Sequence, residues 1–329
     1  MPRKNSGMRK IEPAVMTLNF TSSPAQGGSI TDFIDLSQVC SLMNRRFYRQ
    51  GLNWAVASIK IFGTRDANIL VSKLPTTWVM SNAWEKSFRA WQQMIKNATD
   101  DSGAESIKGK FLDFKIYADS DHHTAGFDGN LLPKDRTGAL YTAGQWQPSE
   151  LQIPVQNAVT DTLELIAVGP NNPGVSPVSG FDAVSVIQGY ADSRALPSNA
   201  DPNVPADAND NWMVKLFDNV SDQDQDVIAD LEVMGNNPPY PFEGDQAGTL
   251  DTMYPGGETQ APTLLVHDTE TITSTTIGGK TTIQGGTFPC GLIRLDIGGL
   301  SEEDITFGIQ VDLVPGSHRG YLCEPMTEM

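Results

Sequence analysis

Two groups of cationic side chains carry the chemistry most legible in this 329-residue chain. Residues 1–12, MPRKNSGMRKIE, place Arg3, Lys4, Arg9 and Lys10 on a polar stretch without apolar periodicity, the composition of a flexible basic arm. Residues 44–50, Asn44-Arg45-Arg46-Phe47-Tyr48-Arg49-Gln50, set Arg45, Arg46 and Arg49 beside two aromatic rings. Guanidinium groups pair with phosphates and rings stack on unpaired bases, so this combination suits single-stranded nucleic acid. The same residues also suit a strand edge guarded by charge and an untethered terminus, and composition leaves both readings open. If many copies assemble, avidity multiplies so small a number of charges.

Other chemistry is weaker. Gly279-Lys280-Thr281 suggests a phosphate-binding loop, but that loop needs glycine at position 274, which is Ser. Gly278-Gly279 between two Thr/Ile-rich runs instead predicts a β-hairpin. Asp119, Asp121, His122 and His123 could converge on a divalent metal only from a loop, because neighbours on a strand face opposite ways; a plain surface loop is expected. Asp222, Asp224 and Asp226 imitate the opening of a calcium loop, yet Val227 and Val233 stand where its glycine and glutamate belong. A helix N-terminus after Ser221 explains the same acids. No nucleophile elbow is present, and none of His122, His123, His267 and His318 lies beside a suggestive Ser or Cys. The expectation is a protein that is not an enzyme and needs neither cofactor nor metal.

The elements that would position these residues are mostly strands. Met16, Leu18 and Phe20 alternate with polar neighbours. Leu52–Phe62, with Trp54, Val56, Ile59 and Ile61, reads as a strand buried on both faces. Further strands are expected at Ile69–Leu74, Phe111–Tyr117, Leu163–Val168 and Val184–Tyr190. Ile293–Ile297 and Ile305–Leu313 alternate cleanly and read as neighbouring antiparallel strands. Trp84, Phe88, Trp91 and Ile95 form one helical stripe, with Asn82 and Glu85 placed as a capping box. Residues 191–260, crowded with Pro, Asn, Asp and Gly, read as a long loop insertion. Many short strands not alternating with helices predict an all-β fold: a single jelly-roll β-sandwich of two antiparallel sheets with one or two short helices and long loops. Its strands are expected between residues 13 and 190 and between 262 and 315, within one domain covering 13–329.

Charge is unevenly distributed. Residues 1–116 hold 16 Lys/Arg against 9 Asp/Glu, a net +7, whereas the rest carries −24. An acidic surface for solubility explains this, as does a subunit basic on one face and acidic on the other. Cys40, Cys290 and Cys323 are odd in number and widely spaced, which predicts free, buried thiols in a reducing compartment. No signal-peptide pattern or apolar run of membrane-spanning length is visible, so no membrane partner is expected.

Asp35-Leu36-Ser37, the Asn44–Gly51 segment, Lys73-Leu74-Pro75, Trp78-Val79 and Asn82-Ala83-Trp84 together resemble capsid proteins of circular, Rep-encoding single-stranded DNA viruses, over residues 30–190. The resemblance implies a jelly-roll coat subunit that self-assembles into an icosahedral shell around a single-stranded DNA genome. Its basic arm would face that genome, although arms in the family are often longer and richer in arginine. Arg3, Lys4, Arg9, Lys10, Arg45, Arg46 and Arg49 are then the nucleic-acid-binding residues, the partners are further copies of the chain, the genome and a host receptor, and the location is the virion or the interior of the host cell. Residues 191–260 would decorate the exterior or fill subunit contacts. The first rival is a β-sandwich adhesin or carbohydrate-binding module that presents Trp146, Trp212 and Tyr240, and the second is a hydrolase whose site assembles in space, with a deep pocket holding several perturbed titratable groups.

Overall fold

A computed structural model describes residues 13–24, 28–103, 112–155, 159–174, 180–194, 263–299 and 306–329. The chain begins with β1 (Thr17–Ser22), β2 (Ser29–Asp35), α1 (Leu36–Asn44), β3 (Leu52–Phe62) and β4 (Ala67–Lys73). A long insertion follows, with α2 (Trp78–Asp101), α3 (Ser120–Ala125), β5 (Leu151–Val155), β6 (Val159–Ile166), β7 (Asn172–Pro173), β8 (Phe181–Ser185) and α4 (Val186–Arg194). The return brings β9 (Leu265–Ile272), β10 (Lys280–Phe288), β11 (Leu292–Gly299), β12 (Phe307–Leu313), β13 (Pro315–Gly316), β14 (Gly320–Tyr321) and β15 (Cys323–Pro325). These fall into two compact units: Met1–Lys73 with Asp128–Trp146 and Leu265–Pro325, and Leu74–Phe127 with Gln147–Leu264 and Met326–Met329.

The first unit is a jelly-roll sandwich. One sheet runs β1-β12-β3-β10, with β15 also on β3, and the other runs β2-β11-β4-β9; every pairing is antiparallel. Alternation builds the interior. β12 buries Phe307, Ile309, Val311 and Leu313 and turns the residues between them outward. These meet Leu18 and Phe20 of β1 and pack toward Ile69 and Val71 of β4 and Ile293, Leu295 and Ile297 of β11. Each such side chain contributes about 1.5–3 kcal/mol by leaving water. Polar contacts also cross between the layers: Ser22 Oγ donates to the buried Asp32, and Lys73 Nζ donates to Thr287 O at 2.9 Å.

β3, expected to be buried on both faces, is so only at its start, Leu52–Trp54; beyond it a single face is inward. Trp54 and Val56 occupy even positions and Ile59 and Ile61 odd ones, yet all four are buried. The register against β12 slips between Asp312 and Leu313, so that Ser58 and Val56 are successive partners and Ala57 is extra. This bulge resets the phase and keeps one face inward.

Two expected strand pairs do not form. β9 and β10 are not a hairpin, and β11 and β12 are not neighbours; each pair is split between the two sheets. Gly278 (φ 74°) and Gly279 (φ 56°) do adopt the left-handed backbone expected of them, but the turn passes from sheet to sheet. A short connection spans the ~10 Å between layers as readily as the ~4.8 Å between strands, and inward alternation is the same in either case. Among the described strands of the sandwich only β4 and β9 are both successive in sequence and hydrogen-bonded to each other, and the insertion occupies that connection.

In the second unit the expected helix is longer than its stripe. α2 begins at Trp78 with Thr77 as N-cap, whose side chain accepts from Met80 N, so Asn82 lies within the helix and is exposed. Val79, Met80, Ala83, Trp84, Ser87, Ala90 and Trp91 form the buried stripe, at the spacing of a 3.6-residue turn. Trp84, Phe88 and Trp91 close around the Phe114 ring at 5.6–5.8 Å. The small sheet runs β5-β6-β8-β7 and is mixed, because β6 and β8 are parallel. Leu163–Val168 is largely β6, Val184–Tyr190 divides between β8 and α4, and from Asp113 to Tyr117 only Tyr117 makes a β-bridge, to Ile166. None of these joins the sandwich. The helix expected after Ser221 and nearly all of the 191–260 insertion lie outside the described residues.

Gly291 (φ 69°) ends the Pro289–Gly291 turn that carries the chain from β10 across to β11, and a Cβ there would sit 2.9 Å from Trp54 Cδ1 and 3.1 Å from Leu36 Cβ. Gly291→Ala is expected to destabilise the fold by about 2–3 kcal/mol through strain and overpacking. Gly298→Ala, whose Cβ would meet only Asn68 O at 3.9 Å, leaves the urea midpoint nearly unchanged; equal midpoints for the two variants would refute the packing assigned to this turn.

Candidate nucleic-acid interface at the arginine-rich end of the sandwich

The segment that holds Arg45, Arg46 and Arg49 connects α1 to β3 and is anchored at its end by a buried carboxylate. Asp35 ends β2 and caps α1: its Oδ1 accepts from Ser37 N at 2.9 Å and Gln38 N at 3.2 Å. Its Oδ2 accepts from Gln50 Nε2 at 3.2 Å and Trp146 Nε1 at 3.0 Å. The segment is thus tied at its far end to the cap where its helix begins. Desolvation by burial pushes the Asp35 carboxyl up to about 6, with the four hydrogen bonds opposing. Trp146 is buried, so it offers no exposed platform of the kind the adhesin reading required.

At the other end of α1, Arg45 takes the C-cap with φ 54° and ψ 36°. Asn44 fastens the chain start to this point. Its Oδ1 accepts from Val15 N at 3.0 Å, and its Nδ2 donates to Tyr321 Oη at 2.7 Å, while Tyr321 donates to Val15 O at 2.6 Å. Burial drives the Tyr321 phenol far above its ordinary range. Arg46 Nη1 donates to Pro13 O at 3.3 Å. Pro13 immediately follows the basic arm, and a chain spans at most ~3.6 Å per residue, so Lys10 and Arg9 lie within ~15 Å of Pro13 by connectivity alone. Arg3, Lys4, Arg9 and Lys10 themselves lie outside the described residues.

The two aromatics differ from the sequence expectation. Tyr48 is fully buried against Trp54 and Tyr321, with centroids at 5.8 and 5.5 Å, and its hydroxyl donates to Arg319 O at 3.0 Å. It cannot stack on a base. Phe47 is half-buried, and its carbonyl accepts from Arg319 Nη1. Arg45 and Arg49 are exposed.

Arg319 is the residue that local reading missed. It belongs to the turn between β13 and β14, with φ 50° followed by Gly320 at 106°, and it joins the cluster from 270 residues away. His318 beside it is half-buried, and desolvation with the Arg319 charge lowers its pKa. The only sequence signal was an Arg-Gly turn dipeptide.

The cluster borders a cavity of about 390 Å³ lined by Ser41, Leu42, Arg45, Asp135, Tyr141 and neighbours. The loop forming its second wall is pinned by Lys134 N donating to Asn19 O at 2.8 Å, and by Asn130 Nδ2 donating to Gln38 Oε1 at 2.9 Å.

Among the described residues the other candidates do not assemble a site, and Asp222, Asp224 and Asp226 lie outside them. Asp119, expected in a surface loop, caps the short helix α3 by accepting from His122 N at 2.9 Å. His122 is buried, with Nδ1 accepting from Ala118 N at 3.0 Å, and His123 Nε2 meets Glu164 at 2.8 Å. Among the described residues no group of three or more His, Cys, Asp or Glu side chains is placed to hold a metal. Lys280 opens β10 as a strand residue. Cys40, Cys290 and Cys323 are free thiols, the first two buried; burial pushes Cys323 up to about 12. No helix among the described residues is long and apolar enough to cross a membrane.

Compared with known proteins, the chain matches no family model, no curated protein and no solved structure.

The Asp35 network gives a pH signature. The folded chain holds a proton that the unfolded chain releases between pH 3.8 and about 6, so the Asp35 contribution to stability is greatest below that window and falls as pH rises through it. In Asp35→Asn the amide nitrogen faces the Gln50 and Trp146 donors and no longer titrates. The stability of the wild type relative to Asp35→Asn is therefore expected to fall by on the order of 2–3 kcal/mol between pH ~4 and ~6, then level off. Urea denaturation across that range checks it; a constant difference would contradict the burial of the charge.

Proposed function

We propose that the chain is the structural subunit of an icosahedral shell enclosing a single-stranded DNA genome, with the arginine-rich end of the jelly roll facing the nucleic acid. The observation that carries this reading is the contact of Arg46 with Pro13, the residue that follows the arm in sequence, at the end of a two-sheet sandwich that also holds Arg45, Arg49 and Arg319.

The charge partition supports it. The first unit holds 15 Lys/Arg against 14 Asp/Glu, a net +1, whereas the second holds 8 against 26, a net −18. A polyanion is repelled by the net charge of the second and meets the exposed Arg45 and Arg49 on the first. The outward face of the β1-β12-β3 sheet is polar and self-paired: Asp312 accepts from Thr17 at 2.8 Å and pairs with Lys60. Although desolvation opposes ionisation, those hydrogen bonds hold its carboxyl down at about 2.

Replacing Arg3, Lys4, Arg9 and Lys10 with Ser is expected to leave a folded subunit that still closes into particles but packages less DNA. Electron microscopy reads the particles, and the ratio of absorbance at 260 and 280 nm reads the DNA. Unchanged nucleic-acid content would contradict the arm's role, and a wild-type chain that stays monomeric would contradict the shell. On single-stranded oligonucleotides, each Arg→Gln change at Arg46 or Arg49 should flatten the log–log salt dependence by about 0.7.

A further inference from the structure

We infer that the cavity beside Arg45 is a subsite for one nucleotide of a single strand, its phosphodiester on the Arg45 guanidinium and its base against Tyr141. This rests on the nucleic-acid reading above and adds to it a place, a residue set and a charge preference.

Arg45 is the starting point. Its backbone lies in the left-handed region at the end of α1, where glycine is the usual occupant and a larger residue costs about 1 kcal/mol. An arginine held there is costlier than the glycine that would end the helix equally well, the pattern expected when the side chain serves something other than the fold. The guanidinium is exposed and makes no hydrogen bond or ion pair with the described residues.

The cavity it borders, about 390 Å³, is in the size range of small-molecule sites and is lined by both apolar and polar groups. Tyr141 is half-buried, and its backbone N donates to Pro133 O at 3.1 Å, which fixes the base of the side chain. Leu140, 62 % exposed, and Leu42 add apolar surface beside it. A cation, a ring and apolar flanks are the components that hold a phosphate and a base together.

Asp135 sets the charge preference. Its Oδ1 accepts from Thr137 N at 2.8 Å, Thr137 Oγ1 at 2.6 Å and Ala139 N at 2.9 Å, bonds that hold its carboxyl below the usual range and keep it ionised. A carboxylate in the same cavity as Arg45 repels any anion, a dianion such as free phosphate about twice as strongly as the single charge of a phosphodiester, and so favours the latter of the two. The walls are tied down before any ligand arrives, the helix through Asp35 and the loop through Lys134 and Asn19, so little ordering remains to be done on binding.

The full chain is titrated with a thymidine dinucleotide and, separately, with inorganic phosphate. Expected are saturable binding of the dinucleotide at one per chain and weaker binding of phosphate. Arg45→Gly should weaken dinucleotide binding about tenfold or more while leaving the melting temperature equal or higher, because glycine suits the backbone. Tyr141→Ala should weaken it about fivefold through lost stacking. Lys280→Gln, at the far end of the sandwich, should leave it unchanged. Arg45→Asn, which also tolerates this backbone, repeats the measurement if the glycine variant misfolds. Absence of dinucleotide binding, equal affinity for phosphate, or undiminished binding by the Arg45 variants overturns the inference. Particle formation and packaged DNA are read separately, so a shell without a working subsite and a subsite without a shell give different results.

Discussion

A carboxylate withdrawn from water at the end of β2 is the constraint on which the arginine-rich end depends. Asp35 receives hydrogen bonds from the first turn of α1, from Gln50 just before β3 and from Trp146 at the end of the loop beginning at Asp128. An unpaired charge at such a site would cost several kcal/mol, so the four donors are required together. Satisfying them places α1 across the end of the sandwich and folds residues 45–50 back onto its start. It also brings the Asp135–Tyr141 wall toward Arg45. The basic residues depend on this network for their position, though none of them touches the carboxylate.

The cluster shows how a surface can hold function at some expense to local backbone. Arg45, Cys290 and Arg319 are the three non-glycine residues with positive φ among the described residues. Two of them are arginines of the same cluster, one at a helix cap and one in a two-residue turn where glycine or asparagine is at ease. The packing around them absorbs the cost. Tyr48, Trp54 and Tyr321 form a dense aromatic base beneath the exposed guanidinium groups, and the hydroxyls of Tyr48 and Tyr321 close onto backbone carbonyls of Arg319 and Val15. An aromatic beside arginine in sequence therefore became part of the foundation, and the ring nearest the cavity came from Tyr141, far along the chain.

Division of charge follows division of fold. The sandwich is close to neutral, and the excess acidity belongs to the chain inserted between β4 and β9. That connection joins two hydrogen-bonded neighbours of one sheet, so the strands on either side keep their register through β-ladder bonds whatever the length of chain between them. Loop-closure entropy grows only slowly with length, which makes this a cheap place to lodge a second unit.

Read alone, the residues determined the class of fold, the inward faces of β1, β4, β11 and β12, the amphipathic character of α2 and the existence of a basic segment after position 44. These are period-2 and period-3.6 signals, and they survive because burying one face is the same requirement whatever the neighbour. Tertiary structure decided which strands pair, because a short turn serves a hairpin and a crossing between sheets equally. It decided that β3, beyond its start, buries one face through a bulge at Ala57. It decided that Tyr48 is buried and that Arg319, Asp135 and Tyr141 share the end of the sandwich with Arg45. Contacts over nearly 300 positions leave no local pattern, since what brings those residues together is the path of the backbone around a shared core.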